Sequence, residues 1–129
     1  MFYGNENVTP EIRKLYDDLL HCWCVETCAE RLRPHWSLDN PTLGQCSITS
    51  FIVQDIYGGK VYGIPLPEGG YHCYNVVDGM RFDLTSEQFG GRELAYNDEN
   101  EQLREEHFKD PDKKRRYELL KKLYEEYKR

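Results

Sequence analysis

The chain has 129 residues, of which 39% are hydrophobic and 31% are charged, and its net charge is −6. This length predicts one domain over residues 1–129, with a modest core and a well-solvated surface. The negative charge argues against nucleic acid as a partner. No apolar run approaches the ~18 residues that a membrane span needs, so we expect no membrane partner.

The N-terminus and the cysteines predict a location. The first ten residues, MFYGNENVTP, lack the basic start and apolar centre of a secretory signal. Five cysteines without such a signal are typical of reduced thiols. We therefore expect a cytoplasmic protein.

The first predicted element is a helix that begins at Thr9-Pro10-Glu11. This start combines a capping hydroxyl, a proline in the first turn and an acid near the positive end of the dipole. An apolar stripe predicts that the helix lasts to about Leu32. The stripe consists of Ile12, Leu15, Tyr16, Leu19 and Trp23. Residues 34–44 follow as a predicted loop.

A second helix is predicted from Cys46 to Tyr57, because apolar residues recur there at helical spacing and the pattern stops at Gly58-Gly59. A loop precedes it, so Cys46 is expected at or near the helix N-terminus. The unpaired backbone N–H groups and the dipole at that end favour a thiolate. The same N–H groups can hold an oxyanion during acyl transfer.

A short strand near residues 60–64 is followed by a predicted β-hairpin. Its strands cover residues 71–77 and 80–84, joined by Asp78-Gly79, a strong two-residue turn signal. This turn length sets the register of the strands. The predicted cross-strand pairs are Val77 with Met80, Asn75 with Phe82, and Tyr74 with Asp83.

Alternation of side chains in the hairpin separates a polar face from a core face. The polar face carries His72, Tyr74, Val76, Arg81 and Asp83. The core face carries Cys73, Asn75, Val77, Met80, Phe82 and Leu84. His72 and Asp83 become diagonal neighbours, close enough for a carboxylate to orient an imidazole. Pairing of Asp83 with Arg81, or a turn cap at Thr85-Ser86, stays open as an alternative.

The C-terminal part predicts a docked helix. Residues 85–100 are expected to be largely irregular. A last helix is predicted over residues 110–129, beginning at Asp110-Pro111. Tyrosines on one face of this helix keep a homodimer as an open alternative. Residues 1–103 carry 7 basic and 16 acidic side chains, whereas residues 104–129 carry 10 and 7. The basic tail should therefore lie partly across the acidic body. Helices before a small antiparallel sheet, with a helix after it, predict an α+β fold.

Cys46, His72 and Asp83 have the residue types of a generalised catalytic triad. Cys46 is the expected nucleophile, His72 the general base and acid, and Asp83 the residue that orients the imidazole. A thiolate attacks acyl carbon well, so we expect a hydrolase or acyl transferase acting on an amide or thioester of a small molecule or peptide. The alternative is a non-catalytic binding or regulatory domain, in which Cys46 is a small core residue.

Other cysteines and aromatic residues carry weaker signals. The cluster of His21, Cys22, Cys24 and Cys28 has no C-x-x-C pair, and Cys22 points away from the face that Cys24 and Cys28 share. We therefore predict no metal site, and no cofactor. Cys73 is expected in the core, as a poor resolving partner for Cys46. Trp36 and Tyr74 are candidates to line a substrate cleft or to pack.

Several motifs together resemble the YunG-like family of bacterial proteins. They are Trp36, Asp39-Asn40-Pro41, Gly44-Gln45-Cys46, Val53-Gln54-Asp55, Gly58-Gly59, His72-x-Tyr74-Asn75, Asp78-Gly79, Asp83-Leu84-Thr85, Gln88-Phe89 and residues 116–121.

The order of a cysteine on a helix, a histidine on a strand and an aspartate on the next strand is also similar to papain-like and transglutaminase-like enzymes. This likeness implies a helix that carries the nucleophile and packs against an antiparallel sheet that carries the base. In papain-like enzymes a glutamine shortly before the nucleophile helps to form the oxyanion hole. Here the corresponding candidates are Gln45, which has the better chemistry, and Asn40, which has the better offset.

Overall fold

The structure is a computed structural model that describes residues 1–129. The helices are α1 (Pro10–Leu20), α2 (Cys46–Tyr57), α3 (Arg104–His107) and α4 (Pro111–Tyr127). The strands are β1 (Lys60–Pro65), β2 (Tyr71–Val77) and β3 (Met80–Phe82), in one antiparallel sheet with the order β1-β2-β3. Short 3-10 turns occur at Asn5–Asn7, Val25–Thr27, Glu30–His35 and Ser86–Phe89. The predicted α+β class is confirmed.

Helix α1 begins as predicted, because the Thr9 hydroxyl accepts the backbone N–H of Ile12. It ends at Leu20, so the prediction that it lasts to about Leu32 is wrong. In the following segment the Thr27 hydroxyl bonds to the backbone N–H and C=O of Cys24, and such local bonds compete with a helix. The indole N–H of Trp23 also donates to the Thr49 hydroxyl on α2 at 2.9 Å, which draws this segment onto α2.

The hairpin has the predicted turn. Asp78 and Gly79 both have positive φ, as a two-residue turn of this kind requires, and Val77 pairs with Met80. The predicted pairing of Tyr74 with Asp83 is wrong, because β3 ends at Phe82. The N–H of Asp83 donates instead to the C=O of Tyr3 at 3.0 Å, which makes an isolated bridge to the N-terminal segment.

Helix α2 is held between the sheet and α4, and it packs directly against β2. Its central residues, from Ser47 to Val53, are all buried. Five of the six residues predicted for the core face of the hairpin are buried, and Met80 packs at the edge of the core. Because the helix is fixed on both sides, its first residue has a defined position beside β2.

Helix α4 packs against α2, and charged side chains contribute to this contact. Asp55 in α2 accepts a salt bridge from Arg104 at 2.8 Å and a hydrogen bond from the Tyr117 hydroxyl, with Lys121 at 3.7 Å. Leu120 is fully buried beside them. The C-terminal segment therefore contacts α2 through one carboxylate, that of Asp55. None of the helices combines the length and the apolar character that crossing a membrane requires.

Candidate active site

Cys46 is the first residue of α2, and it lies in a cleft of about 860 Å³ that His72 also lines. Residues 29–32 and the start of α4 contribute to the cleft lining, as do residues from the β1–β2 loop and from positions 88–92. Cys46 is partly exposed and packs at the edge of the hydrophobic core. Helix α2 has the bounds predicted from the apolar spacing, so the predicted position of Cys46 at the helix start is confirmed.

His72 and Asp83 are in direct contact. The Nε2 of His72 lies 2.6 Å from Oδ2 of Asp83, and each side chain is only 1% exposed. The ring of Phe89 packs edge-on against the imidazole at 4.7 Å. The second ring nitrogen, Nδ1, is buried and has no hydrogen-bond partner in the protein. The carboxylate therefore orients the ring through one nitrogen and leaves the other one available.

The side chains of Cys46, His72 and Cys73 shift one another's pKa values. The neighbouring Cys73 thiol, and then the charge of His72, lower the pKa of Cys46 well below its usual range, although burial acts in the opposite direction. Burial opposes the charged form of His72, but the charge and hydrogen bond of Asp83, helped by Cys46, raise the pKa of His72 to about 10. Both shifts act in the same direction, towards a thiolate at Cys46 and an imidazolium at His72.

Cys73 is fully buried on the core face, as predicted. Cys46 and Cys73 are both free thiols, and the prediction that Cys73 is a poor resolving partner for Cys46 stays a prediction. The neighbouring Cys46 sulfur, together with burial, raises the pKa of Cys73 well above its usual value. Strand alternation correctly assigns Cys73 to a face of β2. It does not show that the start of α2 lies against that part of the strand.

The carboxylate of Asp83 accepts four hydrogen bonds. Oδ1 accepts from the backbone N–H of Thr85 at 3.1 Å and from its hydroxyl at 3.3 Å. Oδ2 accepts from His72 and from the hydroxyl of Tyr96 at 2.8 Å. The contact with His72 and the turn cap, considered above as alternatives, thus occur together. Arg81 pairs with Asp98 instead. Sequence reasoning missed Tyr96, since it lies in an irregular segment with no periodic signal.

Three N–H donors belong to residues that line the same cleft as Cys46. The backbone N–H groups of Cys46 and Ser47, in the first turn of α2, have no acceptor in the protein. The Gln88 amide also lines the cleft. Its Oε1 accepts the N–H of Gly44 at 3.3 Å, and its Nε2 donates to the C=O of Thr85 at 3.0 Å, which leaves one amide N–H unused. Gln88 thereby connects the loop before Cys46 with the turn after Asp83.

The four residues predicted to bind substrate or an oxyanion do not line this cleft. Gln45 is fully buried and donates to the Cys24 C=O at 3.1 Å, and Trp36 donates to the Pro41 C=O at 3.0 Å. The Tyr74 hydroxyl donates to Asp98 at 2.8 Å. The backbone N–H of Asn40 donates to the Ser37 C=O at 3.0 Å, within a local turn. Gln45, which precedes Cys46 in sequence, is buried, and Gln88 lines the cleft instead.

Gly44 is expected to be required for the position of Cys46. Its φ is +71°, and an added Cβ would lie 2.6 Å from the Cys28 sulfur and 2.9 Å from the Ala29 nitrogen. Gly90 also has positive φ but has open space around it. We expect Gly44→Ala to cost about 1–3 kcal/mol more unfolding free energy than Gly90→Ala, measured by urea denaturation. Equal costs would show that the loop before Cys46 yields without penalty.

Comparison with known proteins places this arrangement in a family. The sequence profile described as YunG protein matches residues 11–128, which is nearly the whole chain. The chain belongs to the YunG family. The match includes α1, the helix that carries Cys46, the sheet and α4, so the cleft of this YunG family member lies entirely within the matched region.

A relative in Bacillus subtilis (strain 168), described as "Uncharacterized protein YunG", is 35% identical over 77 residues. The matched stretch covers 52% of this chain and 66% of the relative, just under two thirds of its length. No solved structure matches the chain. The papain-like or transglutaminase-like core therefore stays a prediction for this YunG family member.

Proposed function

We propose that the protein is a cysteine-dependent hydrolase or acyl transferase that acts on an amide or thioester bond. The observation that carries this proposal is the pairing of His72 with Asp83 through Nε2, beside a cysteine at a helix N-terminus in the same cleft. A buried imidazole with one nitrogen oriented and the other unpartnered has the geometry of a general acid and base.

The proposed reaction has two steps. The Cys46 sulfur attacks the acyl carbon, a C–S bond forms, and the carbonyl oxygen becomes an oxyanion. The N–H groups of Cys46 and Ser47, with the free amide N–H of Gln88 in the same cleft, are the candidate donors to that oxygen. As the C–N or C–S bond of the substrate breaks, His72 gives its proton to the leaving group.

The second step releases the acyl group. His72, now neutral, takes a proton from water or from an acceptor amine, which attacks the thioester carbon. The C–S bond to Cys46 breaks, and the thiolate and imidazolium are restored. Water makes the protein a hydrolase and an amine makes it a transferase. The cleft volume of about 860 Å³ is in the range of sites for small molecules or short peptide segments.

The test is the rate of alkylation of Cys46 by iodoacetamide between pH 5 and pH 9, followed by peptide mass spectrometry. Cys24 is also partly exposed and lies outside the cleft, so it serves as a reference thiol in the same molecule. We expect Cys46 to react about tenfold faster than Cys24 at pH 6, since a thiolate is the reactive form. Cys46→Ala identifies its peptide.

A different profile would contradict the proposal. If Cys46 reacts no faster than Cys24, and its rate rises only near the ordinary thiol pKa of about 8.5, the imidazole does not activate it. The cleft would then be assigned to the alternative, a non-catalytic binding or regulatory domain.

A further inference from the structure

Tyr96 and His72 share one oxygen atom of Asp83. The Tyr96 hydroxyl donates to Oδ2 at 2.8 Å, and Nε2 of His72 lies 2.6 Å from the same atom. The phenol therefore competes with the imidazole for electron density on this oxygen. The two Thr85 donors contact the other oxygen and do not compete in this way.

The phenol ring is fixed on two sides. It stacks on Tyr3 with a centroid distance of 3.8 Å and an interplanar angle of 7°, and it meets Tyr74 edge-on at 5.0 Å. Tyr3 is itself held by the segment that carries Asp83, since its C=O accepts the Asp83 N–H and its N–H donates to the Ser86 hydroxyl at 2.8 Å. The hydroxyl is thus presented to the carboxylate by a rigid aromatic stack.

We propose that Tyr96 is a positioning residue of this site, which holds Asp83 in place and limits how strongly the carboxylate retains the proton on His72. This inference rests on the proposed function, because it assumes that His72 must give up that proton during the reaction. Without the phenol, the negative charge of Asp83 is compensated less when the imidazole is neutral. The imidazolium is then favoured up to a higher pH.

Several titratable groups surround the pair. Cys46 from α2 and Cys73 from β2 face the imidazole side, with Lys113 and His107 farther out. Tyr3 and Tyr74 lie behind Tyr96. Among these tyrosines only Tyr96 hydrogen-bonds to Asp83, so a change at position 96 alone should reach His72 through the carboxylate.

The experiment compares Tyr96→Phe with Tyr74→Phe. Tyr74 is a matched control, because its hydroxyl also donates to an aspartate, Asp98, and its ring also packs in this cluster. The readout is the rate of carboxymethylation of Cys46 by iodoacetate against pH. This reagent is an anion that the imidazolium attracts, so the rate rises as the thiolate forms and falls as His72 loses its proton.

For Tyr96→Phe we expect the falling limb of this profile to move up by about half a pH unit or more, with the rising limb nearly unchanged. Tyr74→Phe should keep the wild-type profile. An unshifted limb in folded Tyr96→Phe, or an equal shift in Tyr74→Phe, would overturn the inference while leaving an activated wild-type Cys46 intact. A wild-type Cys46 without activation would overturn the proposed function and this inference with it.

A second variant keeps the test decisive if Tyr96→Phe does not fold. Introduction of 3-fluorotyrosine at position 96 alone retains the ring and the hydroxyl but makes the hydroxyl a more acidic donor. A stronger hydrogen bond to Oδ2 should move the falling limb to lower pH. No movement in this variant would also contradict the role assigned to Tyr96.

Discussion

Replacement of His72 by glutamine is expected to lower the rate of Cys46 alkylation by iodoacetamide about tenfold or more at pH 6. The wild-type imidazolium favours the thiolate by its charge, and a glutamine amide carries no charge. The amide can still donate to Asp83, so the buried carboxylate keeps a partner. The neighbouring Cys73 thiol also favours the thiolate and should leave Cys46 partly activated.

His107→Gln is the matched control for this variant. His107 is half-buried and its Nε2 also pairs with an oxygen, that of Gln102 at 2.8 Å, but it does not line the cleft. We expect this variant to alkylate at the wild-type rate. Equal rates in wild type and His72→Gln, with both proteins folded by circular dichroism, would assign the reactivity of Cys46 to Cys73 or to the helix N-terminus.

Replacement of Asp83 by asparagine is expected to lower the unfolding free energy by about 2–4 kcal/mol. Each carboxylate oxygen accepts two donors, and an asparagine amide has an acceptor on one side only. At least two buried donors would therefore face an NH₂ group. Urea denaturation measures the loss.

Asp98→Asn is the control for this prediction, because Asp98 also accepts hydrogen bonds from two side chains, those of Arg81 and Tyr74. Its side chain is 30% exposed, so water can replace lost bonds and the expected cost is smaller. A cost for Asp83→Asn no greater than for Asp98→Asn would contradict the view that the four-donor arrangement supports the fold.

The cost of Asp83→Asn should also depend on pH. Since the pKa of His72 in the folded protein is raised to about 10, its ion pair with Asp83 stabilises the fold fully below the ordinary histidine pKa of about 6.5. That contribution is lost as pH rises through 10. The difference in unfolding free energy between wild type and variant is therefore expected to be larger at pH 6 than at pH 10.

Local signals in the sequence were enough to predict the hairpin and the helix of Cys46. A two-residue turn at Asp78-Gly79 sets the register, and the register places His72 and Asp83 on one face. The bounds of α2 follow from its apolar spacing and the two glycines after it. These features depend on residues close in sequence. The contact of Asp83 with the distant Tyr3, and the end of β3 at Phe82, were set by the tertiary structure.

The end of α1 and the outer part of the site depend on contacts between distant residues. No local pattern indicates that Trp23 will bond to Thr49, or that Tyr96 from an irregular segment will reach Asp83. Gln45 and Asn40 are the two candidate oxyanion residues that the likeness to papain-like enzymes implies, yet Gln45 is fully buried and donates to the Cys24 C=O.

The sequence by itself thus determined the order of cysteine, histidine and aspartate on a helix and a hairpin, and the shared face that brings His72 to Asp83. Only the tertiary structure decided what surrounds them. It brings Cys73, Gln88 and Tyr96 to the site, because the docking of α2 on β2 and the folding of the irregular segment over Asp83 are set by packing across the whole domain.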